Sequence, residues 1–454
     1  MPQVRAQSRG ANLGHPVVIP FSKLLRNKYF VSKSLFFKRP VSKFTKSLIL
    51  NDRITPYSSK TWREIPSKSL ILKDLLLHGT QRRHSPRCYT SGMNHLARLR
   101  RLQRDLPENK LDLLLVTHLP NVRYVSGFTG SAAALLVGER GTTLFTDGRY
   151  IAQAKEEVKG AKVVIASKSP SIAAAEWLAA QRKKSGTLWL GIEAESLSVG
   201  LRDRLASGLR GKARLRSAPP LVERARMVKD ADEIRRIRHA VTLGASLFRV
   251  ACETIKPGVR EVEVAAAMEY EARRQGAEGM SFGTILAAGA RSAVVHGRAS
   301  SARIPRRGFV VCDFGVILAG YCSDRTRTVH VGKPTREARQ MYEAVLEAQQ
   351  SAIAAVRPGV TAAEVDEAAR SALRKRRLAE YFTHSTGHGL GLEIHEAPRL
   401  AAGQAQKLEP GMVITVEPGA YIPGRWGVRI EDVMVVTPSG CDVLAPEDKE
   451  LVVI

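Results

Sequence analysis

Acidic residues stand inside stretches that otherwise read as apolar strands. "VVCDFGVILAGYCSDRTRTVHVG", residues 310–332, is two β-branched and apolar runs around the short reversal Leu318-Ala319-Gly320, and it carries Asp313 and Asp324. With the turn centred between Leu318 and Ala319, the two aspartates lie directly opposite one another, their Cβ atoms about 5 Å apart. A bulge at Gly320 would shift this by one residue. Burying one unpaired carboxylate costs several kcal/mol, and two that face each other also repel. Either one carries a proton or a cation lies between them.

A second segment repeats the pattern. "MVITVEPGAYIPGRWGVRIEDVMVV", residues 412–436, is again two strand runs around a Pro-Gly turn, with Glu417 and Glu431 symmetric about Gly424. Histidines supply the remaining ligand type. "YFTHSTGHGLGLEIHE", residues 381–396, holds His384, His388 and His395 within twelve residues, threaded with Gly387, Gly389 and Gly391 that let the backbone approach something closely. These glycines do not open a helix, which argues against a phosphate-binding turn. His296, in "AVVHGRAS", is a further candidate. Four carboxylates and an imidazole suit two divalent ions, whose charge cancels that of the acids; Arg429, two before Glu431, balances a bridging hydroxide. Oxygen-dominated ligation favours Mn²⁺, with Co²⁺ or Zn²⁺ as alternatives, over a Cys-rich zinc site. Two such ions about 3.5–4 Å apart activate a water and polarise a carbonyl, which suits amide hydrolysis.

These segments need elements to position them. From Met93 to about residue 222, the stretches 111–118, 132–138, 141–147, 161–167 and 187–193 read as strands, and 149–158 and 171–184 as helices. This predicts a small α/β domain, followed by a linker over 216–228 with Pro219 and Pro220. A long helix then starts at Asp230, which makes a capping-box pattern with Glu233, and Ile234, Ile237, Val241, Phe248 and Ala251 fall on one face. It stops at Pro257-Gly258. Pro358-Gly359 repeats that stop 101 residues on, with Val264 and Val365 in register, helices expected over 231–255 and 336–355, and β-rich stretches over 281–332 and 383–438. The chain therefore carries an internal ααβ duplication. A site on the axis between the halves takes two acids from each.

The 454 residues, 44% hydrophobic, suffice for two or three cores. No run approaches the ~18 apolar residues of a membrane span. Five widely spaced cysteines without a CxxC predict a reducing compartment, so the expected location is cytoplasmic. The net charge of +28 is uneven: residues 1–92 contribute +15 and the other 362 residues +13. No RNP motif or zinc-finger spacing accompanies it, and no nucleic-acid partner is expected. Residues 1–92 show no sustained amphipathic period. They read as a spurious or disordered extension, alternatively as a mitochondrial transit peptide or a basic arm.

"DFGVILAGYCSDRTRT", "STGHGLGLEIHEAP", "VEPGAY" and "VRIEDV" resemble the pita-bread metallopeptidases, and "SGFTGSAAALLV" and "LFTDGRYIAQA" resemble their creatinase-like N-terminal domain. The resemblance covers residues 93–454. It implies an α/β (α+β) chain: a ribonuclease H-like α/β domain over 93–222, then a pita-bread catalytic domain over 223–454. It implies that Asp313 chelates one metal, that Asp324 and Glu431 bridge both, and that His388 and Glu417 bind the other. His395 matches the catalytic histidine, and His296 and His384 match histidines lining the substrate site. Val295 stands where a proline often precedes the first of these. The implied activity is that of a bacterial Xaa-Pro aminopeptidase acting as a homodimer on short proline-containing peptides, without a membrane partner. An Xaa-Pro dipeptidase (prolidase) is the alternative, and a non-catalytic binding module on the same scaffold a remote one.

Overall fold

A computed structural model describes residues 93–181 and 188–454. The expectations for residues 1–92, and the end of the helix expected over 171–184, lie outside the described residues. The chain runs α1 (His95–Glu108), β1 (Leu113–Val116), α2 (Leu119–Ser126), β2 (Ala133–Gly138), β3 (Gly141–Asp147), α3 (Ile151–Glu157), β4 (Lys162–Ala166), α4 (Pro170–Ala180), β5 (Leu188–Ile192), α5 (Val199–Leu209), β6 (Ala213–Ser217) and α6 (Leu221–Met227). The six strands form one mixed sheet, ordered β4-β3-β2-β1-β5-β6. Its strands alternate between two cores, as a period of two requires. Leu114, Val116, Leu135 and Val137 face α1 and α2, while Leu115, Leu136 and Phe145 face α4 and α5.

The expected linker over 216–228 is corrected: Ser217 ends β6, and Pro220 caps α6, in which Leu221, Val222 and Arg226 are buried. Prolines at a helix start do not break it, and seven residues are too few to show a period.

Next come α7 (Ala231–Thr254), α8 (Glu261–Arg274), β7 (Gly279–Met280), β8 (Ile285–Ala288), β9 (Gly308–Phe314), β10 (Val316–Leu318), β11 (Tyr321–Cys322) and β12 (Arg325–Val331). The second half is α9 (Arg336–Ala355), α10 (Ala362–Lys375), β13 (Gly387–Gly389), β14 (Glu396–Leu400), β15 (Val413–Val416), β16 (Gly419–Ile422), β17 (Trp426–Arg429), β18 (Asp432–Thr437) and β19 (Gly440–Val443). The capping box on α7 forms: the Asp230 carboxylate accepts from Glu233 N, and Glu233 reaches back to Asp230 N. Ile237, Val241 and Ala251 are buried along that helix. Both helix pairs turn at a left-handed glycine, Gly258 (φ 89) and Gly359 (φ 85). Val264 and Val365 are each fully buried. The α7–α8 pair shares a core with β8, β9 and β12, and α9–α10 with β15 and β18. Each half thus covers its own sheet. No helix among the described residues is long and apolar enough to cross a membrane.

Candidate metal centre

The first hairpin differs from its expected register. Phe314 pairs with Arg325, Asp313 with Thr326 and Leu318 with Tyr321, so the turn is centred one residue later, between Ala319 and Gly320. Both turn residues have positive φ, 51° and 81°, the two-residue geometry that matches strand twist. Asp313 therefore faces Thr326, and Asp324 lies diagonally across the same face. Diagonal neighbours stand farther apart than a directly opposed pair, which leaves room between the carboxylates. In the second segment the register is as expected. Val416 pairs with Asp432 and Gly419 with Arg429, bracketing Glu417 and Glu431 symmetrically about Gly424. The two glutamates fall in the gap between these ladders. Glu417 N donates to Thr386 O at 2.7 Å, and Glu431 N donates to Thr326 O of the first half at 3.1 Å.

His388 lies on β13, inside this cluster. Its Nδ1 donates to Gly389 O at 3.0 Å, because a carbonyl can only accept. That leaves the Nε2 lone pair free, 3.6 Å from Asp324 Oδ2 and 3.5 Å from Glu417 Oε1. The nearby glycines have a purpose the sequence did not specify. A Cβ on Gly387 would stand 2.0 Å from Thr415 O, and one on Gly389 2.2 Å from Ala397 O. They admit the neighbouring strands β15 and β14, not a ligand.

Arg429 is the counter-charge. It is 2% exposed, donates from Nη2 to Asp313 Oδ2 at 2.5 Å, and donates from Nη1 to Tyr421 Oη at 2.7 Å and Val295 O at 3.1 Å. The contact with residue 295 uses a carbonyl, which proline offers equally, so Val295 is a tolerated departure. Tyr421 in turn donates to His384 Nε2 (2.9 Å), since His384 Nδ1 is committed to Ser385 O. His384 thus belongs to a relay ending on Asp313. Burial alone would lower the Arg429 pKa; Tyr421, Asp313 and Glu417 more than reverse this, and the guanidinium stays charged.

The acids behave oppositely. Burial, reinforced by the neighbouring carboxylates, pushes Asp324 and Glu431 well above the usual range and Glu417 to about 8. Burial lowers His388 to about 4 and His384 to about 3. Asp313 Oδ1, Asp324 Oδ1 and Glu431 Oε1 are buried without a hydrogen-bond partner. Ligand atoms of Asp324, His388 and Glu431 lie within 4.8 Å of one another. Orphaned carboxylate oxygens clustered with a free imidazole nitrogen are a donor set for a divalent cation.

The cluster opens into a pocket of about 810 Å³ that Asp313, Asp324, His388, Glu417 and Arg429 line together with His296, His384 and His395. All the expected site histidines meet there. Sequence reasoning passed over Tyr421, Thr326, Arg298 and Arg399. The Thr326 hydroxyl donates to Glu431 Oε2 at 2.8 Å and accepts from Arg429 Nε at 3.1 Å. Arg298 and Arg399 line the pocket. Tyr421 lies within a quoted motif, but only its hydrogen bonds reveal its part.

The family model for "Metallopeptidase family M24" matches residues 235–438, and that for "Creatinase/Prolidase N-terminal domain" matches residues 98–228. An uncharacterized peptidase, YqhT, from Bacillus subtilis is 39% identical, over 76% of this chain and 96% of its own. The chain belongs to metallopeptidase family M24. This M24 chain is also 38% identical to the Xaa-Pro dipeptidase of Pyrococcus horikoshii, over 76% of this chain and 96% of that one. Its fold matches the solved Xaa-Pro dipeptidase from Bacillus anthracis with a TM-score of 0.75 at 37% identity, covering 80% of this chain and all of that one. The pita-bread architecture with its creatinase-like domain is therefore that of the M24 family, and the chain is a metal-dependent peptidase.

Proposed function

We propose that this chain is a dinuclear metal-dependent Xaa-Pro dipeptidase. The observation that carries the dipeptidase reading is a pair of arginines, Arg298 and Arg399, in the same pocket as the carboxylate cluster; neither has a side-chain partner among the described residues. A dipeptidase must hold the free carboxylate that follows proline, and guanidinium groups do this well. An aminopeptidase needs that end open. The dipeptidase names of two similar proteins support the alternative of the sequence reading over its first choice.

In this reading Asp313, Asp324, His388, Glu417 and Glu431 hold two divalent ions, with Mn²⁺ the first candidate. The bound ions would supply Lewis acidity, which polarises a scissile carbonyl and makes a water easier to deprotonate. The residues do the rest. Phe282, Ile285, Val295 and Ile394 offer an apolar wall for the proline ring, whose amide has no N–H for an ordinary peptidase to hold. Glu417 takes a proton from the attacking water and delivers it to the proline nitrogen as the C–N bond breaks. His395, kept neutral because burial lowers its pKa, donates from its ring N–H towards the carbonyl oxygen. His296 lines the same wall. Arg429 holds the Asp313 carboxylate in place through Nη2.

The test compares Ala-Pro with Ala-Pro-Ala and longer peptides under added Mn²⁺. Turnover confined to Ala-Pro is the expected result. Comparable rates on the longer peptides would make the chain an aminopeptidase, and preference for Met-Ala would remove the proline assignment.

A further inference from the structure

His395 makes no side-chain hydrogen bond among the described residues. Its one ring contact is the edge of His388, with centroids 4.4 Å apart. Its position is therefore inherited from the backbone of residues 393–396. That backbone is fastened by the two acids around it. Glu396 Oε1 accepts from Glu393 N at 3.1 Å and from Arg226 Nη2 at 2.5 Å, and Glu396 Oε2 accepts from Lys229 Nζ at 3.0 Å. Glu393 Oε2 accepts from the same Arg226 Nη2 at 2.7 Å, and its Oε1 meets His118 Nε2 at 2.9 Å.

Arg226 is itself anchored. Its Nη1 donates to Asn121 Oδ1 at 2.6 Å, and Asn121 Nδ2 donates to Glu193 Oε1 at 2.7 Å and Glu223 Oε1 at 2.6 Å. Glu193 Oε2 accepts from the backbone N–H groups of Thr117 and His118. An unbroken chain of hydrogen bonds thus runs from the N-terminal sheet to both sides of His395. The Arg226 and Lys229 side chains are 3% and 1% exposed, where charge pairs are screened little. Burial would raise the Glu396 carboxyl, and Lys229 and Arg226 outweigh it, so Glu396 stays ionised.

We propose that Arg226 is a positioning residue for His395: from the junction of the two domains it clamps Glu393 and Glu396, and so fixes where the histidine stands over the scissile bond. The inference rests on the role given to His395 above. General adhesion between domains does not require it. Arg98 already bridges them elsewhere, reaching Asp230 at 2.6 Å and Glu233 at 3.0 Å.

The experiment uses the full chain loaded with Mn²⁺ and Ala-Pro as substrate. Arg226→Gln should lower kcat by about 10²-fold, the loss that follows a misplacement of about 1 Å, with KM within about twofold and bound Mn²⁺ unchanged. Arg226→Lys, which can still reach one glutamate, should recover a large part. Glu393→Gln, at the exposed end of the clamp, keeps the test open if the arginine variant does not fold, and should lower kcat several-fold. Arg98→Gln should lower Tm and leave kcat within about twofold. Unchanged kcat in Arg226→Gln or Glu393→Gln would overturn the proposal, as would an equal kcat loss in Arg98→Gln. A wild-type chain inert towards Ala-Pro would instead remove the dipeptidase reading.

Discussion

Asp324, Glu417 and Glu431 are more stable neutral than charged until a cation arrives. Burial, with mutual repulsion added, raises Asp324 and Glu431 far above the carboxylate range and Glu417 to about 8. Groups whose folded pKa exceeds the unfolded value, near about 4, contribute stability that is fully present below that value and lost as pH rises through the folded one. Metal-free protein should therefore show a Tm that falls between pH 5 and pH 8, and Mn²⁺ should cancel the fall by displacing the protons. Scanning Tm against pH with and without chelator checks this; a flat metal-free profile would contradict it. Asp324→Asn removes one charge from the orphaned set while keeping its shape. It should lose at least one metal per chain and about 10²–10³-fold in turnover, the equivalent of several kcal/mol of charge stabilisation. Metal analysis beside kinetics decides, and full activity of metal-free Asp324→Asn protein would refute the cluster as a metal centre.

At the level of elements, the site depends on strands that touch more closely than a Cβ allows. Gly387 places β13 against β15, with Thr415 O 2.0 Å from where a Cβ would be. The obstacle is backbone, which cannot rotate away as a flexible side chain can. Gly387→Ala should destabilise by about 2 kcal/mol or more and displace His388, so that Tm and metal content fall together. Gly440→Ala on β19 meets nothing within 4 Å and should stay within about 0.5 kcal/mol of wild type. Thermal melts of the two variants provide the comparison. The hairpins show why register matters here. A turn centred one residue later than expected changed the partner of Asp313 from Asp324 to Thr326, and that threonine is the hydroxyl that joins Glu431 to Arg429.

For the whole molecule, the two halves of the duplication meet across β12 and the segment around Glu431, through Glu431 N to Thr326 O and through Arg429 to Asp313. Neither half alone holds all five of the proposed ligands. The N-terminal domain adds the clamp on residues 393–396. About three quarters of the chain spans 96% of the relatives it matches. Residues 1–92 hold only three acids among their charged residues and lack the alternation a core needs. A chain starting at Met93 should therefore fold, bind metal and keep its kcat/KM within about twofold. An insoluble or inactive truncation would show that the segment contributes to the folded body.

What was legible in the sequence was local. Alternation marked five of the six strands of the N-terminal sheet, Asp230 and Glu233 announced the start of α7, and Pro-Gly turns revealed the duplication. The four acids among the proposed ligands were nameable because a carboxylate in an apolar strand is too costly to bury without a proton or a cation, and His388 because it stands in a glycine-threaded run of three histidines. The centre of symmetry of the second segment followed from counting alone, since side chains alternate with a period of two. The sequence did not determine whether Ala319 would adopt a left-handed φ, and this single dihedral fixed the register of the first hairpin. Nor could it show α6, too short for a period, or the Tyr421–His384 and Arg226–Glu396 contacts, whose partners lie 37 and 170 residues apart. Spacing along a chain has no information about such pairs. They form only when the sheets close on one another, because burial leaves each charged or polar group without water and obliges it to find whichever partner the tertiary packing supplies.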